Sequence, residues 1–285
     1  MRVDRAELLA FTGALTRRRA GFDIPRGSGA VELRLGTLAR REGLDSVWTM
    51  LSSIRRQPDS KLAAEAVEAL APRDTWFFRD RAPFQHFADA ILPEALMQAG
   101  PTRAVRIWSA GCGAGQEAYS LAMLAEERRA RGVRVDAAIV ATDLSRAAVR
   151  RGAQGVYDQF EVQRGLPIRR LVEHFDKEGE DWRVNSALRR MVDFRLVNFL
   201  RDFSALGEFD VIFLRHVLTH MSPQIHDRVL GRVMDHLRPD GWLVLGPWET
   251  PGNLAADLDP APGVDGVFRK RPEARADRRV EPRAA

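Results

Sequence analysis

Between residues 104 and 246, apolar runs of strand length alternate with helical patterns, and this alternation limits the possible folds more than any other feature. The apolar runs fall at 104–110, 137–142, 192–197, 209–215 and 241–246, and helical patterns fit between them at 116–131, 145–151 and 223–237. Apolar strands that alternate with helices are typical of a parallel sheet covered on both faces. The sequence therefore predicts an α/β fold with a doubly wound, mostly parallel, Rossmann-like sheet.

Residues 1–72 have a different pattern, that of four short helices, each with one apolar stripe. The first three stripes are Leu8, Phe11 and Leu15; Val31, Leu35 and Leu38; and Leu44, Val47, Trp48, Leu51 and Ile54. The fourth helix is predicted to be capped by Ser60 and to run to Leu70. Asp4 followed by Glu7 predicts a capping box at the first helix. Four such stripes can bury one another, so we expect a small N-terminal helical domain over 1–72.

The second predicted domain covers 73–270 and carries the sheet. Its first helix, through Phe84 and Phe87, is expected to be interrupted at Pro93. The segment from about 155 to 191 is less regular and is expected to be an insertion that holds a small hairpin. Residues 271–285 are low in complexity, and we expect a disordered tail there.

Composition excludes several classes of protein. The formal net charge of +5 over 285 residues is modest, so we expect no nucleic-acid partner. The only cysteine, Cys112, excludes a disulfide within the chain and a multi-cysteine zinc site. The N-terminus lacks the pattern of a signal peptide, and no stretch approaches the roughly 18 apolar residues of a spanning helix. We therefore expect a cytoplasmic protein.

A glycine-rich turn follows the first predicted strand. Gly111, Gly113 and Gly115 alternate with other residues and are followed by Gln116 and Glu117. Ligands of doubly wound sheets bind at the carboxyl ends of the strands, where glycines let backbone and ligand meet. The sequence therefore predicts a ligand site at this turn.

Asp143 ends the second predicted strand, in the segment ATDLS. At that position its carboxylate could accept hydrogen bonds from both hydroxyls of a ribose. Asp143 could also cap the helix that begins after Leu144 and Ser145, and both roles could coexist.

The charge at the turn distinguishes two classes of ligand. The dinucleotide fingerprint is Gly-x-Gly-x-x-Gly, whereas this chain has Gly-x-Gly-x-Gly followed by Gln116 and Glu117. A carboxylate there repels a pyrophosphate but suits a ligand with a cationic amino-acid end and no phosphate. S-adenosylmethionine, with a sulfonium, an ammonium and a ribose, is such a ligand. We therefore expect this methyl donor as the cofactor, with S-adenosylhomocysteine as its product.

Five segments together resemble one family. TWFFRD, WSAGCGAGQEAYSLAM, ATDLS, VNFL and FDVIFLRHVLTHM occur in this order with similar gaps. They resemble the CheR-type chemotaxis receptor methyltransferases over about residues 30 to 270. The resemblance implies a protein-glutamate O-methyltransferase that forms methyl esters on the cytoplasmic helices of receptors. It also implies acidic helical receptor domains as partners, with the membrane approached only through them.

The resemblance assigns cofactor contacts to residues outside the glycine turn as well. They are Thr75 and Arg79, Glu117, Asp143, Asn198 with Phe199, and Leu214 with Arg215. An arginine beside two phenylalanines is costly to bury without an anion, so we expect Arg79 to meet the cofactor carboxylate or the substrate glutamate. At least one of Phe77 and Phe78 is expected to pack in the core.

The chain departs from the family pattern on the substrate side. Arg-Asn-Val-Leu-Ile-Tyr-Phe becomes the segment 215–221, so an asparagine and a tyrosine are replaced by His216 and His220. Gly-His-Ser-Glu becomes the segment 246–249, with Pro and Trp in the middle. We expect Arg79 first and His220 second to position the substrate carboxylate, and the arginines of the N-terminal helices to dock an acidic receptor.

Three other interpretations remain open. A divergent family member could bind the cofactor or its product and regulate a partner without receptor methylation. A methyltransferase for RNA or small molecules is another, although the Asn-Pro-Pro-aromatic motif of RNA base methylases is missing after the fourth strand. A metal site at His216, His220 and His226 is disfavoured because no Glu adjoins the first histidine, so we expect no metal.

Overall fold

The chain begins with four helices that bury their apolar stripes together. In the computed structural model, which describes residues 4–24 and 27–272, these are α1 (Arg5–Ala20), α2 (Ser28–Arg41), α3 (Val47–Arg56) and α4 (Lys61–Leu70). Leu8, Leu35, Met50 and Leu51 are fully buried in their common core. The four predicted helices are confirmed.

The N-terminus of α1 differs from the predicted capping box. Asp4 accepts the backbone N–H groups of Ala6 and Glu7 at 2.9 and 3.4 Å. The Glu7 carboxylate, instead of reaching back to Asp4, forms an ion pair with Arg55 of α3 at 2.7 Å. The cap is therefore one-sided, and Glu7 links two helices.

Residues 71–81 form a connector after α4. The helix that follows this connector continues through Pro93, so the predicted interruption is wrong. It consists of α5 (Ala82–His86), a π-helical turn (Phe87–Ile91) and α6 (Leu92–Ala99). A proline cannot donate to the carbonyl one turn before it and clashes with that carbonyl. The wider π turn just before Pro93 accommodates the ring without ending the helix.

Seven strands form the main sheet. They are β1 (Val105–Ala110), β2 (Ala137–Asp143), β6 (Val192–Leu196), β7 (Phe209–Leu214), β8 (Leu237–Leu245), β9 (Leu258–Pro260) and β10 (Val267–Lys270). Their order in the sheet is β6-β2-β1-β7-β8-β10-β9. The pairs among β6, β2, β1, β7 and β8 are parallel, whereas β10 pairs antiparallel with β8 on one side and with β9 on the other. The predicted α/β class with a mostly parallel sheet is confirmed.

Both faces of the sheet are buried under helices. The main helices around it are α7 (Gln116–Ala130), α8 (Arg146–Gln154) and α12 (Pro223–Met234). Alternate residues of β1 enter two different cores: Val105 and Ile107 lie in one, Trp108 and Ala110 in the other. This alternation is what a strand in a doubly wound sheet requires. Phe77 and Phe78 are both buried in the first core, which confirms the packing expectation.

The start of β8 differs from the prediction. The helix α12 ends at Met234 rather than at 237, and the strand already includes Leu237. Between the predicted helix at 223–237 and the predicted strand at 241–246, the segment Pro-Asp-Gly (239–241) lies within the strand as an irregularity. Asp240 has a φ of 59°, and the pairing register shifts between Phe209 and Val211. Gly241 belongs there because an added Cβ would lie 2.9 Å from the carbonyl oxygen of Asp210.

The insertion holds a three-stranded antiparallel sheet. Its elements are β3 (Val156–Tyr157), α9 (Gln159–Gln163), α10 (Ile168–His174), β4 (Phe175–Glu178), β5 (Asp181–Val184) and α11 (Ser186–Met191). The strand order is β3-β5-β4, and β4 and β5 form the predicted hairpin.

Most of the predicted disordered tail, residues 273–285, lies outside the described residues. Within the described ranges, no helix combines the length and apolar character that crossing a bilayer requires.

Candidate active site

A cavity of about 390 Å³ lies at the carboxyl ends of β1, β2 and β7. The predicted site residues that line it are Thr75, Arg79, Gly111, Gly113, Glu117, Asp143, Phe199, Arg215, His216 and His220. Ala20 of α1, Phe22 just after α1 and Arg34 of α2 also line it. The volume falls in the range of small-molecule sites in proteins.

The glycine turn brings backbone close to its neighbours. Gly111 has a φ of 80°, and an added Cβ would lie 2.4 Å from the Cγ2 atom of Val217. Gly113, with a φ of 55°, would place a Cβ 2.9 Å from the Cγ2 atom of Thr75. Both positions therefore need glycine for conformation and for space.

Asp143 is held at the end of β2 by two backbone N–H groups. Gly113 donates to its Oδ2 atom at 2.9 Å and Ser145 donates to its Oδ1 atom at 2.8 Å. Ser145, and not Asp143, caps α8, since its Oγ atom accepts from the N–H of Ala148; the capping alternative for Asp143 is wrong. Burial raises the pKa of Asp143 to about 6. Each carboxylate oxygen keeps a lone pair for a ligand hydroxyl.

Glu117 belongs to a buried ionic network around Arg215. Its Oε1 atom accepts from Ser109 at 2.8 Å, and its Oε2 atom accepts from Arg215 at 3.0 Å. The other Nη atom of Arg215 donates to Asp80 at 2.7 Å and to the carbonyl of Arg79 at 2.8 Å. Two carboxylates around one guanidinium leave a net negative charge, which suits a ligand that carries an ammonium.

Arg79 lines the cavity but does not lie against a buried anion. Its Nη1 atom donates to the carbonyl of Asp74, and its guanidinium lies 4.3 Å from the ring centre of Trp76. Its Nε atom is buried and has no hydrogen-bond partner among the described residues. Burial lowers the pKa of Arg79 below its ordinary value, although the group stays cationic.

The two histidines that replace the family residues both line the cavity. His216 has a φ of 59°, its N–H donates to Glu249 at 2.8 Å, and its Nε2 atom lies 2.8 Å from a carboxylate oxygen of Asp80. His220 ends a short 3₁₀ turn (Leu218–His220), and its carbonyl accepts the N–H of Asp23 at 2.8 Å. Burial lowers the pKa of His220 below its ordinary value.

Three predicted cofactor contacts do not line this cavity. The side-chain amide of Asn198 donates to the carbonyl of Arg19 at 2.6 Å and faces a neighbouring groove. Gly115 caps α7 and is packed against the ring of Phe194. Leu214 is fully buried in β7. The roles of Asn198 and Leu214 were implied by the resemblance, whereas that of Gly115 was predicted from the glycine turn. Contacts within the fold hold the side chains of Asn198 and Leu214 away from this cavity.

Sequence reasoning missed three residues at the site. Asp80 joins Arg215 to His216; it ends the segment TWFFRD, but the resemblance assigned no role to it. Glu249 accepts the N–H groups of His216, Thr219 and Gly246, and so fixes the loops after β7 and β8. Trp248 lies on the cavity wall with 87% of its surface exposed. The departure at 246–249 was the signal for the last two.

The residues present fit S-adenosylmethionine. The bare backbone of Gly111 and Gly113 admits a close ligand, Asp143 offers two acceptors for ribose hydroxyls, and Glu117 lies in a network of net negative charge. Together with the parallel sheet, this geometry defines an S-adenosylmethionine-dependent methyltransferase of class I.

Comparison with known proteins gives the family. The model described as "CheR methyltransferase, SAM binding domain" matches residues 73–259. Chemotaxis protein methyltransferase Cher2 of Pseudomonas putida is 36% identical over 228 residues, which cover 79% of this chain and 82% of that protein. Chemotaxis protein methyltransferase 1 of Vibrio cholerae is 36% identical over 243 residues, covering 84% of this chain and 87% of that protein. The chain belongs to the CheR methyltransferase family.

Solved structures resemble the chain more distantly. The DszA carbon methyltransferase has a TM-score of 0.37 and 17% identity over 76% of this chain and 47% of that one. PKMT2 from Rickettsia typhi, crystallised with S-adenosylhomocysteine (AdoHcy), has a TM-score of 0.36 and 16% identity over 61% of this chain and 26% of that one.

Proposed function

We propose that the protein methylates glutamate side chains on the cytoplasmic helices of chemotaxis receptors. The observation that carries the proposal is that Arg79, a cation suited to a carboxylate, lines the same cavity as Asp143 and Glu117. The named relatives are chemotaxis protein methyltransferases, which supports the same class of substrate.

The reaction needs little acid–base help from the protein. A glutamate with a reference pKa of about 4.3 is ionised at neutral pH, so its carboxylate is already the nucleophile. S-adenosylmethionine supplies an electrophilic methyl group on a sulfonium. The protein holds the reacting atoms about 3 to 3.5 Å apart and in line, and the cavity walls exclude water.

Each site residue then has one task. Asp143 accepts the ribose hydroxyls, Glu117 binds the ammonium group, and Arg79 orients the substrate carboxylate. His220 is the second candidate for that orientation, because it lines the same cavity. Since no proton has to leave the nucleophile, neither His216 nor His220 is needed as a base.

The N-terminal helices offer a basic surface beside the cavity. Arg17 and Arg18, in the last turn of α1, have 46% and 61% of their side chains exposed and pair with Asp23 at 2.8 Å and Asp59 at 3.7 Å, partners that a receptor carboxylate would have to replace or share. The same helix reaches the cavity wall at Ala20, two residues before Phe22. An acidic receptor helix docked on these arginines would bring its glutamates to the cavity mouth.

Transfer of a radiolabelled methyl group tests this function. The protein is incubated with labelled S-adenosylmethionine and membranes of its host, and alkali is then added. Carboxyl methyl esters hydrolyse in base, so we expect volatile labelled methanol, and little of it with Arg79→Ala. Normal AdoHcy binding without any base-labile label in the membranes would contradict receptor methylation and favour a regulatory binder.

A further inference from the structure

The insertion contacts the wall of the cavity through one tryptophan. Trp76, in the connector before α5, has the guanidinium of Arg79 4.3 Å from its ring centre and that of Arg164 4.1 Å from it. Both guanidinium groups are therefore within cation–π distance of the same indole ring. Arg79 lines the cavity, whereas Arg164 follows α9 in the insertion.

Asp74 connects the same two arginines. Its Oδ1 atom pairs with Arg164 at 3.0 Å, its Oδ2 atom lies 3.9 Å from an Nη atom of Arg79, and its carbonyl accepts from Arg79. Asp74 thus offsets the repulsion between two cations that share one ring. Stacking on tryptophan adds a cation–π attraction for each of the two cations.

The backbone fixes the insertion against the connector at this point. Gly165 follows Arg164 with a φ of 87°, and an added Cβ would lie 2.1 Å from the carbonyl oxygen of Phe77 and 2.8 Å from the Cδ1 atom of Trp76. Such a close approach fixes the backbone next to Arg164 against the connector, so the Arg164 side chain starts from a defined position beside Trp76. The Arg79 guanidinium, by contrast, has few anchors: its Nε atom has no partner within the described part of the chain.

We propose that Arg164 is a positioning residue for methyl transfer, which holds Arg79 in the cavity through Trp76 and Asp74. Its side chain is 45% exposed and does not line the cavity that contains Glu117, although it lines an adjoining pocket that shares Gly113 and Asp143 with that cavity. The Kd of AdoHcy therefore separates an action through Arg79 from an action on the cofactor. The kinetic part of this inference rests on the proposed function, because it needs a methylated receptor.

A double-mutant cycle tests the coupling. Arg164→Ala should lower kcat for receptor methylation about tenfold and leave the Kd of AdoHcy within about twofold. In an Arg79→Lys background, which loses the planar stack, the same change should lower kcat no further. Arg169→Ala is the matched control, because Arg169 lies in the same insertion, is 90% exposed and pairs only loosely with Glu173 at 3.8 Å. An unchanged kcat, or an equal fold-loss in both backgrounds, would overturn the proposal.

A second readout does not depend on activity. The indole ring current shifts the Nε–H resonance of Arg79, which can be assigned by its loss in Arg79→Lys. This resonance should move in Arg164→Ala and stay in place in Arg169→Ala; a resonance that does not move in Arg164→Ala would refute the positioning role. If the wild type methylates no receptor, the proposed function is wrong. The shift of the Arg79 resonance then still tests whether Arg164 positions Arg79.

Discussion

Asp143 combines a buried carboxylate with two backbone donors, and its protonation should control cofactor binding. Ribose hydroxyls donate to the ionised form, so binding favours that form. Since the pKa is raised to about 6, affinity should fall as pH drops below that value, by at most about tenfold per pH unit. Calorimetry with AdoHcy across this range measures the effect. Asp143→Ala should weaken binding by about 1 to 3 kcal/mol at neutral pH.

Asp143→Asn separates this titration from others. The amide cannot ionise, so the variant should bind weakly and with an affinity that no longer changes through about pH 6. A pH dependence equal to that of the wild type would show that Asp143 is not the titrating group.

The histidines predict a second pH effect that depends on the ligand's charge. A protonated imidazole in the cavity repels the sulfonium of S-adenosylmethionine, whereas AdoHcy carries no sulfonium. Burial lowers the pKa of His220, so the group is neutral at neutral pH and becomes charged only below its ordinary value of about 6.5. As pH falls, affinity for S-adenosylmethionine should therefore drop further than affinity for AdoHcy.

The double variant His216→Asn, His220→Tyr is the control for this difference. It should bind both ligands with the same pH dependence, because neither position then carries an imidazole that could repel the sulfonium. If wild type and variant give the same difference between ligands, the histidines do not sense the sulfonium.

At this scale the sequence predicted residues whose chemistry is local. Asp143 and Glu117 were found because each follows a strand end or the glycine turn, where parallel strands collect ligand groups. Asp80 was not found, because its role depends on Arg215 and His216, which are more than 130 positions away and reach it only in the fold. The position of Asn198 outside the cavity was not predicted for the same reason: its side-chain amide donates to the carbonyl of Arg19, which is 179 positions away.

Among the elements, the glycine turn is the most sensitive to change. Gly111→Ala places a Cβ 2.4 Å from Val217, whereas Gly132→Ala, at a similar φ of 83°, meets open space. Both changes strain the backbone, so their difference isolates the close contact. Gly111→Ala should be less stable than Gly132→Ala by about 1 to 3 kcal/mol in denaturant melts, and it alone should lose AdoHcy affinity. Equal stabilities would show that the turn has room for a side chain.

Elements were predicted well where hydrophobic periodicity was strong and poorly where backbone geometry was unusual. The parallel strands and the four N-terminal helices follow from their apolar patterns. The π turn before Pro93 and the irregular start of β8 do not, because each depends on how one carbonyl or one register shift is accommodated in the packed fold.

In the whole molecule, the cavity wall combines residues from the N-terminal helices and from the sheet. Phe22 pairs with Met221 in an isolated bridge, and the N–H of Asp23 donates to the carbonyl of His220. AdoHcy should therefore slow hydrogen exchange in the segment 15–24 as well as in 215–221, because binding stabilises the folded state of both. Protection confined to the sheet segments would show that α1 does not close the site.

The division of the chain into two domains at about residue 72 remains a prediction.

Mass spectrometry of a methylated receptor fragment tests the central claim most directly. A purified cytoplasmic fragment of a receptor from the same host is incubated with the protein and S-adenosylmethionine, digested, and sequenced by fragmentation. We predict glutamate residues heavier by one methylene group, a modification that alkali removes and that Arg79→Ala does not produce. Glutamates of unchanged mass, at protein concentrations where AdoHcy binds fully, would contradict the assignment of a receptor glutamate methyltransferase.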